Sequence, residues 1–113
     1  MENRSIKNWA EDDRPREKLL KKGTHSLSKA ELLAILLSSG SRNESAVELA
    51  KRVFATYNNN INQLAKCSLN ELQQFKGIGE AKAIAIIAAL ELSRRKQLEA
   101  AVEKKKIQVP HDT

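Results

Sequence analysis

Phe75-Lys76-Gly77-Ile78-Gly79-Glu80-Ala81-Lys82-Ala83-Ile84-Ala85 is the stretch whose reading decides the fold. Two glycines flank one aliphatic residue, and an alanine-rich, almost wholly apolar run follows and ends in Arg94-Arg95-Lys96. Glycine tolerates backbone angles closed to other residues and lets another backbone come close. Gly77 and Gly79 therefore predict a tight turn between two helices, with Ile78 pointing inward as a peg to the core. The amides around Gly79 then face outward at a helix start, where donors lack intrahelical partners and the dipole favours an anion. A nucleic-acid phosphate is the natural guest of that position. A purely structural turn between two packed helices fits the same local pattern.

This layout resembles a helix-hairpin-helix element, and the flanking sequence extends it. Upstream, Ser68 and Glu71 form a capping box, with serine as N-cap and glutamate three residues inside, opening a short helix that buries Leu69, Leu72 and Phe75. Downstream, the last helix is expected from about Glu80 to about Lys104, buried in its first half and exposed beyond Arg94. Further upstream, Ser28 and Glu31 form a second capping box ahead of Leu32-Leu33-Ala34-Ile35-Leu36-Leu37, a run apolar on every side and so expected to be deeply buried. Ser38-Ser39-Gly40-Ser41 breaks that helix. The next is expected from near Asn43, with Val47, Ala50, Val53, Phe54 and Tyr57 inward and Glu48, Lys51 and Arg52 in water. Asn58-Asn59-Asn60 stops it, and a short helical piece carries Ile61 and Leu64.

At the N-terminus, residues 1–14 read as a polar arm tacked on by Trp9. Pro15 suits a first helical turn, and Gly23 closes the segment Arg16 to Lys22. No strand pattern occurs. The fold class is all-α: a compact bundle of five or six helices over residues 15–106, followed by a C-terminal tail over 107–113.

Ser28-x-x-Glu31-Leu32 and Ser68-x-x-Glu71-Leu72 echo each other, and each opens a helix that ends at a glycine-containing turn. Two such units joined by a linking helix make a paired, pseudo-dyad arrangement, with both turns on one face. The first turn lacks the Gly-x-Gly spacing of the second.

A chain of 113 residues holds one core. With aromatics at 4%, that core must be built from Leu, Ile, Ala and Val. The formal charge of +6 is compatible with nucleic acid without requiring it. A single cysteine, Cys67, excludes an internal disulfide. Nothing resembles a signal peptide or a membrane-length apolar segment, so the expected location is cytoplasmic.

The candidate contacts to DNA are Lys76, Gly77, Ile78, Gly79 and Lys82 at the hairpin, with Ser39, Gly40, Ser41 and Arg42 at the first turn. Lys76 and Lys82 bring ammonium groups to a phosphate held by the amides, while Glu80 repels it. The first turn can cup a second phosphate at the start of the following helix, or serve as an ordinary cap. Such contacts hold backbone and do not read bases. No row of aromatics is available for stacking on single strands. Arg94 and Arg95 stand about 22 Å along the helix from Gly79 by its standard rise, too far to share its phosphate. No catalytic or metal set emerges: His25 and His111 belong to no metal spacing, and Cys67, beside an N-cap, has no partnered base.

Arg14-Pro15-Arg16-Glu17-Lys18-Leu19-Leu20, Leu27-Ser28-Lys29-Ala30-Glu31-Leu32, Glu48-Leu49-Ala50 and the hairpin with Glu91-Leu92-Ser93-Arg94-Arg95 together resemble the N-terminal region of the bacterial RadC family, over about residues 6–96. The resemblance implies a DNA-repair association and a larger JAB/MPN-type domain beyond this region, whose zinc site would lie outside this chain. It therefore implies no enzyme activity for the region itself. The partners it implies are the DNA backbone, held weakly and salt-dependently, and that second domain. A monovalent cation on the hairpin carbonyls is the one candidate cofactor. The alternative is a protein-protein or interdomain docking module with structural hairpins. Glu80 stands where related hairpins often carry proline.

Overall fold

The structure, a computed structural model, describes residues 6–108, with side-chain surroundings described for residues 11–105. Among them there is no strand. Six α-helices follow one another: α1 Ile6–Lys22, α2 Lys29–Leu37, α3 Ala46–Thr56, α4 Ile61–Leu64, α5 Leu69–Gln73 and α6 Glu80–Gln108, with a 3-10 turn at Thr24–Ser26.

Local chemistry sets most of these boundaries. Ser28, Ser45 and Ser68 each accept the amide three residues on, and Glu31, Glu48 and Glu71 each reach back to the cap's own amide. Two of these capping boxes are the expected ones; the Ser45 box moves the start of α3 from Asn43 to Ala46. Gly23, at φ 85, ends α1. Ser38 ends α2 in the same half of φ space, and Asn58 and Asn59 end α3.

Helix α1 corrects the sequence reading. It begins at Ile6 rather than at Pro15, so residues expected as an arm form its first half, and Pro15 lies inside it. Proline there removes one ladder bond, but its ring is fully buried where α1 packs on α2 and α3. The side chain of Trp9 lies outside the described ones, as do residues 109–113 of the expected tail and, with them, His111.

The core gathers Leu33, Leu37, Leu49, Val53, Phe54, Leu72, Ile78 and Ile86 from α2, α3, α5, the glycine turn and α6. Helix α2 is less buried than its unbroken apolar run implied. Leu33, Ala34 and Leu37 are covered, whereas Leu32 and Leu36 are each 42% exposed. With Ile61, Leu64 and Leu90 they line an apolar groove between α2, α4 and α6. Helix α2 packs on α1, α3 and α6, and the side these neighbours leave open is the one that carries Leu32 and Leu36. Helices α2 and α3 form one unit and α5 and α6 the other, with α4 between them, and α2 also packs on α6.

Candidate nucleic-acid interface

The two glycine-containing turns lie against each other. A Cβ built on Gly77 would stand 2.9 Å from the Ser41 Cβ and 3.1 Å from Leu49 Cδ2. The contact is too close for any side chain, and Gly77 holds φ 98, so both space and backbone demand glycine there. Gly40 is equally constrained by space: a Cβ would fall 2.1 Å from the Glu44 carbonyl oxygen. Ile78, 4% exposed, is the expected peg to the core, and its amide donates to the Phe75 carbonyl at 3.0 Å.

Gly79 differs from both. Its φ lies outside the left-handed region, and nothing stands within 4 Å of a Cβ built on it. The expectation of special backbone angles holds for Gly77 alone. The Ala83 amide donates to the Gly79 carbonyl at 3.0 Å, the first bond of α6. The amides of Glu80, Ala81 and Lys82 thus precede the ladder, where a helix leaves donors without intrahelical acceptors.

Lys82 joins the turns rather than reaching outward. Its Nζ donates to the Ser39 carbonyl at 2.7 Å, to Ser39 Oγ at 3.1 Å and to the Gly77 carbonyl at 3.1 Å. Three acceptors match the three N–H bonds of an ammonium, so Lys82 offers an anion its charge and not its hydrogens. The ammonium also stands on the Gly77 carbonyl, one of the turn oxygens considered for a monovalent cation.

Sequence reasoning missed the brace beneath the hairpin. Arg52 Nη2 donates to the Lys76 carbonyl at 2.9 Å and to Glu44 Oε1 at 2.6 Å, and its guanidinium lies 5.9 Å from the Phe75 ring centre. Ser41 Oγ donates to the same Glu44 carboxylate at 3.0 Å. The Arg52 bond holds the Glu44 carboxyl below its ordinary value, helped by Ser41. The same contact raises Arg52. Nothing in the sequence relates Arg52 to a turn 24 residues away.

The start of α3, expected as a second phosphate site, is already answered from within the chain. Asp12 of α1, 8% exposed, accepts the Ala46 amide at 2.7 Å, and Ser45 takes the Glu48 amide. A buried carboxylate at a helix N-terminus fills the electrostatic place a phosphate would take. Of the first-turn candidates, Ser39 accepts from Lys82, Ser41 serves the brace, Gly40 serves close packing, and Arg42 is exposed. Lys76 and Glu80 are exposed beside the hairpin.

Other expected features fall elsewhere. His25 is exposed. Cys67 is buried, and burial pushes its thiol up. The Tyr57 hydroxyl bonded to it is pushed up to about 12. Among the described residues no three His, Cys, Asp or Glu side chains gather closely enough to hold a metal ion, and no helix is long and apolar enough to cross a membrane.

Comparison with known proteins places residues 6–84 on the family model described as UPF0758 N-terminal. A UPF0758 protein of Flavobacterium johnsoniae is 58% identical over 103 residues, covering 91% of this chain and 44% of the relative. One from Trichlorobacter lovleyi is 50% identical over 99 residues, covering 86% and 43%. One from Alkaliphilus oremlandii is 48% identical over 108 residues, covering 96% and 47%. The chain thus spans less than half the length of these relatives. No solved structure matches it.

Proposed function

The chain belongs to the UPF0758 family, also called RadC, and we propose that this region of it is a DNA-binding module holding backbone phosphate, without reading sequence, at the Gly77-Ile78-Gly79 turn. The observation that carries this reading is Gly79. Neither its backbone angle nor any neighbour within the chain requires glycine, and the space above it is open. A residue without a Cβ at the start of a long helix lets an external oxygen approach the first amides closely. Exposed Lys76 and Arg42 flank the turn, and Lys82 and Arg52 add charge from beneath. Against these four cations stand Glu44 and Glu80, a local balance of two positive charges.

So few contacts give weak binding. Non-specific affinities of roughly 10⁻⁴ to 10⁻⁶ M at physiological salt are the relevant range. In the longer relatives, the module would keep whatever domain adjoins it near DNA.

Fluorescence anisotropy of a labelled duplex, measured across a salt series, tests this. Lys76→Ala is expected to weaken binding alike on unrelated sequences and to lower the salt slope by about 1. A slope unchanged by that substitution would remove Lys76 from the interface. An affinity that depends on duplex sequence would contradict a contact made to backbone alone.

A further inference from the structure

Helix α6 outruns the body it belongs to. Every described residue from Leu92 to Lys105 is exposed, and Leu98 and Val102 stand in water at 52% and 54% exposure, one turn apart. Nearer the body, Ile84 is 49% exposed, Ala88 is exposed, and the side chains of Glu91 and Arg95 are 40% and 67% exposed.

The six positions 84, 88, 91, 95, 98 and 102 follow one another in steps of four and three. That alternation is the seam of a coiled coil, which keeps one stripe of a helix against a partner. The stripe runs about 27 Å at the standard helical rise. Read from either end it has the same order: apolar, small or apolar, charged, charged, apolar, apolar.

We propose that this stripe is a dimer interface, in which two copies of this chain pair their α6 helices antiparallel. The observation that selects a second copy is the self-complementarity of the stripe. In the antiparallel register Ile84 meets Val102 of the second copy, Ala88 meets Leu98, and Glu91 meets Arg95. Each pair then occurs twice about the two-fold axis, as an isologous interface requires. A large side chain faces a small one, and acid faces base. In the parallel arrangement Glu91 faces Glu91 and Arg95 faces Arg95, so repulsion excludes it. Within one copy Glu91 already bonds Arg95 at 2.8 Å and Arg94 at 2.8 Å. The same groups therefore form an alternating cluster at the centre of the pair, a device that fixes register. Each distal half of α6 covers the exposed proximal face of the other. The inference rests on α6 alone and is independent of the phosphate site.

Sedimentation equilibrium of the whole 113-residue chain reads the outcome. The expected result is a reversible monomer–dimer equilibrium. Leu98→Asp should weaken it at least tenfold while leaving helicity and the melting transition unchanged at concentrations where both chains are monomeric, because Leu98 is half exposed in the single chain. Glu91→Arg alone should weaken it as well, and Glu91→Arg combined with Arg95→Glu should restore it. Orientation is read by oxidising a mixture of Ile84→Cys and Val102→Cys chains: the mixed disulfide should dominate over either self-linked product. A chain that stays monomeric at high concentration would overturn the proposal. So would a dimer indifferent to Leu98→Asp, or one self-linking through position 84.

Discussion

Gly77 holds φ 98 with the Ser41 Cβ 2.9 Å from where its own would sit, whereas Gly79 has an ordinary backbone and open space. Gly77→Ala is therefore expected to cost about 2–4 kcal/mol, from backbone strain and overpacking together, read as a lower urea midpoint. Gly79→Ala should cost no more than about 1 kcal/mol, since alanine is only a poorer N-cap there. It should nevertheless weaken duplex binding several-fold. If Gly79→Ala melts the fold as severely as Gly77→Ala, the turn is structural and the phosphate reading loses its support. The sequence displays the two glycines as equivalent. Their difference arises from Ser41, a residue 36 positions away in the chain, and no local pattern carries it.

At the scale of elements, what is legible is what a few adjacent residues decide. The Ser28 and Ser68 boxes stand in the sequence as Ser-x-x-Glu and form as expected. The same spacing stands at Ser45 and Glu48, where Asn43 has no glutamate three residues on, and that box sets the start of α3, with the distant Asp12 carboxylate accepting the Ala46 amide as well. Helix α1 is misread at Pro15 because a local rule places proline in the first turn of a helix, whereas here the ring is buried inside a helix already under way. Lys82 is recognisable as a residue of the site, but its three acceptors in two turns are not. Lys82→Met removes a donor from two carbonyls and should cost about 1–3 kcal/mol. It should also shift amide resonances of residues 38–42 together with those of 76–81. Shifts confined to the hairpin would mean the turns are not tied through this ammonium.

The brace also has a pH signature. Glu44 and Glu31 are both held below their ordinary 4.5, Glu44 chiefly by Arg52 and Glu31 chiefly by the Ser28 amide. A carboxylate whose folded-state pKa is depressed contributes stability that is complete above its unfolded value and lost as pH falls through its folded value. Urea midpoints should thus hold from neutrality down to about pH 5 and then decline below 4.5. Glu44→Gln should start lower at neutrality and decline less. An identical acid decline in that variant would mean Glu44 is not part of the coupling.

The whole molecule is a small all-α body with one long helix leaving it. Its radius of gyration is 17.4 Å, against about 13 Å for a spherical domain of this length. The fold class was legible because apolar periodicity and caps agree throughout, and the membership of its family because several separate segments agree at once. The groove along Leu32, Leu36, Ile61 and Leu90 was not, since an unbroken apolar run does not reveal which of its sides lacks a neighbour. That groove and the glycine turn involve different residues, so one titration can tell them apart. The most direct test is an amide-resolved NMR titration with a short DNA duplex at low and moderate salt. The account predicts shifts centred on Lys76 to Lys82, with Arg42 alongside, that fade as salt rises. No shifts at low salt, or salt-insensitive shifts centred on the groove, would contradict it.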